Sequence, residues 1–143
     1  MKILVTGTNS EFSRRVCLII SRLQPDWKVE TVESGKDCLA TLLNGYRPDI
    51  VLTGMQLSDM SGFELIKHIR EDSDMPVVLL SEDHNVELLV KAFERGANDY
   101  MTKPYRDAVF IARLKALVRR RAWDIQKGGN EIINYELPEG TKS

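Results

Sequence analysis

The sequence predicts an α/β fold: a doubly wound, five-stranded parallel sheet, strand order 2-1-3-4-5, with five helices. Three observations predict it. Short apolar runs alternate with helical periodicities five times along the chain. Successive runs are joined by single helical segments, which imposes parallel strands and right-handed crossovers. The third run, Ile50-Val51-Leu52, is the most purely apolar, which places it in the middle of the sheet with both faces covered. The 143 residues, 43% hydrophobic and 29% charged, suffice for one domain with a real core.

Each element has its own justification. Strand one is expected over 3–6. Phe12, Val16, Ile19, Ile20 and Leu23 then recur at helical spacing, with Ser10 as a cap, until Pro25-Asp26 breaks the helix. Strand two is expected over 27–32. Ser34 can cap a helix carrying Cys38, Leu39, Leu42 and Leu43, ended by Asn44-Gly45. Strand three is expected over 50–53. Ser61-Gly62-Phe63-Glu64 is a capping box opening a helix with Phe63, Leu65, Ile66 and Ile69. Pro76 opens strand four over 77–81. Val86, Leu89, Val90 and Phe93 mark a fourth helix, stopped at Gly96. Strand five is expected over 98–101. The last helix is expected over 107–121, with Val109, Phe110, Leu114, Leu117 and Val118.

Bulk numbers exclude several classes. Lys plus Arg is 20 and Asp plus Glu is 21, a net charge of −1, so no charge excess argues for nucleic acid or a membrane surface. Cys17 and Cys38 sit in apolar helical patterns and read as buried free thiols. The opening "MKILVTG" is too short for a signal peptide, and no run approaches the ~18 apolar residues of a membrane helix. A cytoplasmic protein is expected.

In such a sheet, ligands bind beyond the carboxyl ends of the strands. The residues to examine are therefore 6–9, 54–56, 81–83 and the Lys103-Pro104 corner. "ILVTGTNS" superficially suggests a dinucleotide site. Gly7 stands alone, however, where such a site needs further glycines for backbone approach to the pyrophosphate. A Rossmann-type nucleotide-binding enzyme is thus a distant alternative.

"PDIVLTGMQLSDMSGFELIKHIR", "PVVLLSE" and "GANDYMTKPY" together resemble the receiver domain of bacterial two-component response regulators, a flavodoxin/CheY-like fold. The resemblance covers residues 2–121, and "ARLKALVRRR" looks like the OmpR/PhoB subgroup. In that family an aspartate at the end of strand three accepts phosphate from a histidine kinase; the matching position is Gly54. Two acidic residues after strand one hold Mg²⁺; they match Gly7 and Thr8. A hard cation needs oxygen ligands, carboxylates above all, and no acyl phosphate can form on a residue without a side chain. The resemblance therefore implies a pseudo-receiver with no catalytic residue, metal or cofactor. Ser81 matches the strand-four hydroxyl, Tyr100 the aromatic switch position and Lys103 the phosphate-binding lysine. Each also has a plain structural reading: capping, packing, or the residue before a structural proline. Glu82, where the family has a small residue, is placed to pair with Lys103 across the vacated crevice; both side chains pointing to solvent is the other reading. Asp59 and Ser61 read as an exposed turn, and His68 and His84 as surface histidines.

The subgroup pairs two receivers through helix four, strand five and helix five. Glu94, Asp99, Arg113, Lys115 and Arg120 match charged positions of that surface. Asn98 replaces an acidic residue, and Leu89 and Val109 stand where an interhelical ion pair is usual. Losing both charged partners leaves no lone buried charge. Arg119-Arg120-Arg121 reads as a solvated helix end. Residues 122–143 read as a linker or tail after a 1–121 domain, with Gly128-Gly129-Asn130 as its flexible part and one strand over 132–137. In the subgroup a winged-helix DNA-binding domain follows such a linker, so DNA contact is expected only through a domain absent from this chain. The expected function is a phosphorylation-independent regulatory module acting as a homodimer, with a small-ligand sensor using the vacated pocket as the alternative.

Overall fold

Five strands alternate with five helices: β1 (Lys2–Thr6), α1 (Glu11–Leu23), β2 (Lys28–Val32), α2 (Gly35–Leu43), β3 (Ile50–Gly54), α3 (Gly62–Asp72), β4 (Val77–Ser81), α4 (Val86–Glu94), β5 (Asp99–Thr102) and α5 (Asp107–Gln126). The computed structural model describes residues 1–7, 11–102 and 106–126, apart from the side chain of Phe12. Every strand pairing is parallel and the sheet order is β2-β1-β3-β4-β5, as expected.

The period-two alternation of each strand builds two cores, one on each sheet face. Ile3 and Val5 of β1, Ile50 and Leu52 of β3, and Val78 and Leu80 of β4 meet Val16, Ile19 and Ile20 of α1 and Phe110, Ile111 and Leu114 of α5. Leu4, Val51, Val77 and Leu79 point the other way, onto Cys38 of α2, Phe63, Leu65, Ile66 and Ile69 of α3, and Ala92 of α4. β3 and β4 are buried at every position, while edge strand β2 is not. Truncating a fully buried residue such as Leu52 to alanine would cost about 2–5 kcal/mol.

Capping follows the sequence. The Ser34 hydroxyl accepts from Asp37 N. In the capping box, Ser61 Oγ accepts from Glu64 N at 3.1 Å and Glu64 Oε1 from Ser61 N at 3.2 Å. Gly45 and Gly96 follow α2 and α4 with φ of 101° and 108°, values that favour glycine. Ser10 lies outside the described residues.

The α4 helix falls where the sequence places it, and two other expectations need correction. On α4 the periodic Val86, Leu89, Val90 and Phe93 are exposed, and the inward stripe is Leu88 and Ala92. The helix is apolar on nearly every side, so spacing alone does not say which stripe packs. α5 does not end at Arg121: nothing breaks it before Gly128, and it continues to Gln126. Arg119, Arg120 and Arg121 therefore lie inside the helix, and Arg121 Nη2 pairs with Asp74 Oδ1 at 3.1 Å. Cys17 is only partly buried, whereas Cys38 is fully buried; burial raises both thiol pKa values.

Candidate functional site

Gly54 closes β3 between the ends of β1 and β4, with Thr6 opposite Thr53 and Leu80 opposite Gly54. Gly54 is buried and offers no side chain to the crevice. Gly7 leaves β1 at φ 99°, its N–H donating to Val32 O at 2.8 Å. A Cβ on Gly7 would stand 3.2 Å from Leu57 Cδ2. An apolar side chain from the loop after β3 thus packs over one of the two positions matched to metal ligands. A Cβ on Gly62 would collide with the Gly54 carbonyl oxygen, so the start of α3 presses directly on the strand end. A cavity of about 310 Å³ remains, lined by Gly7, Gly54, Leu57, Ser81, Glu82 and Glu33 among others. Among the described residues no group of three His, Cys, Asp or Glu side chains could hold a metal ion. Thr8 and Lys103 lie outside the described residues.

The hydroxyl positions of the site are engaged with the β4–α4 loop. Ser81 is buried, and its Oγ accepts from Asp83 N at 2.9 Å. Tyr100 is 6% exposed, and its hydroxyl donates to Asp83 O at 2.8 Å. Asp83 Oδ1 accepts from Asn85 N, and Asn85 Oδ1 caps α4 by accepting from Glu87 N at 2.7 Å. One chain of hydrogen bonds therefore runs from the centre of β5 to the first turn of α4. Glu82 is exposed at the cavity rim, and its expected partner Lys103 is not among the described residues.

Two features escaped sequence reading. Asp59 is not a free turn residue: its carboxylate accepts from Gly35 N at 2.9 Å and Lys36 N at 3.0 Å. These bonds, at the amino end of α2, hold its pKa below the ordinary carboxylate value. The Met60 side chain packs over Gly35, where a Cβ would lie 2.5 Å from its sulfur. The loop after β3 is thus tied to α2. At the opposite end of the sheet, Arg70 donates to the carbonyls of Gly96 (2.9 Å) and Met75 (2.7 Å) and to Asn98 Oδ1 (2.6 Å). Asn98 Oδ1 also accepts from Val77 N at 2.8 Å, so Asn98 serves an internal clamp. Neither role has a local signature, because, Met75 apart, these partners lie 21 to 28 residues away.

The α4–β5–α5 face carries exposed apolar side chains: Val86 at 70% exposure, Leu89 at 39%, Phe93 at 45% and Val109 at 47%. Arg113 Nε stands 3.5 Å from Asp99 Oδ2 within the chain, and Glu94, Lys115 and Arg120 are exposed. His68 is an exposed partner of Glu71, and His84 Nδ1 lies 3.1 Å from Thr102 Oγ1.

A five-stranded 2-1-3-4-5 sheet with its crevice at the ends of β1, β3 and β4 defines the flavodoxin-like doubly wound class, which hosts several unrelated functions. Residues 3–115 match the response regulator receiver domain family. The chain belongs to that family, which sets aside the nucleotide-binding enzyme alternative. It is 35% identical to the transcriptional regulatory protein AfsQ1 of Streptomyces coelicolor over 90% of this chain and 58% of the relative. It is also 35% identical to the phosphate regulon transcriptional regulatory protein PhoB of Escherichia coli, over 83% of this chain and 52% of PhoB. The cell cycle transcriptional regulator CtrA of Caulobacter vibrioides is 30% identical over 95% of this chain and 59% of its own length. The chain thus spans rather more than half the length of these relatives. The receiver domain of Klebsiella pneumoniae RstA superposes with a TM-score of 0.75 at 25% identity, covering 83% of this chain and 99% of that domain. Among the described residues no helix is long and apolar enough to cross a membrane.

Proposed function

We propose that the chain is a non-enzymatic pseudo-receiver: the regulatory half of a transcriptional regulator that signals without phosphorylation, by pairing with a second copy through α4, β5 and α5. The observation that carries this reading is the crevice itself, where Gly54 has no nucleophile and Leu57 packs against Gly7. Mg²⁺ binding in this family's manner needs carboxylates at that spot, and neither glycine supplies one. The hydrogen-bond chain from Tyr100 through Asp83 to Asn85 supports the same reading, since it holds the start of α4 by protein groups alone. Pairing is supported by the exposed apolar residues Leu89, Phe93 and Val109 beside Glu94, Asp99, Arg113, Lys115 and Arg120. DNA contact would belong to a separate domain. An ion pair between Glu82 and Lys103 would lie at the surface and be worth ~0–1 kcal/mol, so its part would be to position the crevice rim.

Sedimentation of the untreated chain tests the pairing. A dimer weakened by Leu89→Asp is expected; a monomer at high concentration, or a dimer indifferent to Leu89→Asp, contradicts it. A second reading, a small-ligand sensor, is favoured by the 310 Å³ cavity at the vacated site. A ligand whose thermal-shift response is lost on filling that cavity would support it.

A further inference from the structure

A second and larger cavity, about 830 Å³, lies at the opposite end of the sheet from the crevice. Leu42 and Leu43 of α2, Ile69 of α3, and Val118, Ala122 and Ile125 of α5 line it. The α5 extension beyond Arg121 builds one wall. Leu43 is 81% exposed and Ile125 61%, an uncovered apolar rim. Arg47 and Arg121 stand at the same rim. Arg121 Nε is buried, and among the described residues nothing accepts its hydrogen bond. Asp49 and Asp72 also line the cavity; Asp49 already accepts from Lys2 N at 2.7 Å.

We propose that this groove is the docking site of the chain's own segment 131–137. Three features select that occupant. The groove wall is the last turn of α5, so the chain leaves Gln126 at the groove mouth. Gly128-Gly129 follow at once and permit a sharp reversal. The segment "EIINYEL" then matches the groove chemically. Ile133, Tyr135 and Leu137 alternate in the sequence, so an extended segment would turn them to one side, with Glu131 on that same side to complement Arg47. Reach is sufficient: six extended residues span about 20 Å, against about 10 Å of helix from Val118 to Ile125. Such docking fixes the path by which the chain leaves the receiver, independently of the pairing face.

Hydrogen exchange on the full chain tests this. Amides 132–137 are expected to exchange at least about tenfold more slowly than free peptide. Leu43→Asp with Ile125→Asp should return them to the free rate while β1, β3 and β4 stay protected. A Leu43→Cys/Tyr135→Cys pair in a Cys17→Ser chain should close a disulfide within one chain on mild oxidation. Free-peptide exchange in the unmodified chain, protection indifferent to the groove substitutions, or a disulfide formed only between chains each overturns the assignment, the last by placing a second copy in the groove.

Discussion

The Tyr100 hydroxyl donates to the Asp83 carbonyl oxygen at 2.8 Å, joining the middle of β5 to the loop that starts α4. Ser81 Oγ takes the N–H of the same residue, so Asp83 is held from both sides. Both anchors are buried, where a hydrogen bond is well shielded from water. Tyr100, matched to the aromatic switch position by resemblance, is bonded here to the β4–α4 loop.

Tyr100→Phe removes one of the two anchors. Chemical denaturation should show a loss of about 0.5–1.5 kcal/mol, the usual net value of one hydrogen bond. The dimer should weaken as well, because α4 carries Leu89 and Phe93. Unchanged stability together with unchanged dimerisation would show that the bond holds nothing.

Asp59→Asn tests the tie between the β3–α3 loop and α2. The carboxylate pKa is lowered by the Gly35 and Lys36 amides, so the folded state favours the charged form. The stabilisation is therefore present above the ordinary carboxylate pKa and is lost as pH falls through the depressed folded value. Asp59→Asn should be less stable than the parent at pH 7, and the gap should close on acidification. A pH-independent gap would assign the effect to shape instead of charge.

Asn98→Ala should cost about 1–3 kcal/mol in denaturant midpoint experiments, because Val77 N–H and Arg70 Nη2 both lose their acceptor. Asn98→Asp keeps an acceptor for both and should fold as well as the parent. An equal loss from both substitutions would contradict the clamp.

Gly7→Ala should destabilise by about 1–3 kcal/mol, since φ is 99° and the new methyl meets Leu57. Adding Leu57→Ala should relieve the steric part and leave the backbone part. A neutral Gly7→Ala would show that the turn relaxes freely.

The sheet was legible in the sequence because its information is local. Ile50-Val51-Leu52 announces a buried strand, and Ser61 with Glu64 announces a helix start. Gly54 at the end of β3 was legible because the strand before it fixes its place; its match to a phosphoacceptor position comes from the family resemblance. α4 was legible as a helix but not the side on which it packs, because Leu88 and Ala92 form an inward stripe beside a longer outward one made by Val86, Leu89, Val90 and Phe93. Asp59 and Arg70 were invisible for a different reason. Their partners are mostly backbone groups, with the Asn98 side chain 28 residues from Arg70, and a backbone N–H or C=O leaves no mark in a sequence. Thr8, Lys103 and the strand expected over 132–137 lie outside the described residues.

The loss of phosphoryl chemistry proposed for Gly54 is open to a direct test. The direct measurement is the intact mass of the chain after incubation with acetyl phosphate and Mg²⁺. The mass is expected to stay unchanged, with the dimer present before and after treatment. A stable gain of one phosphoryl group, at any residue, would contradict it.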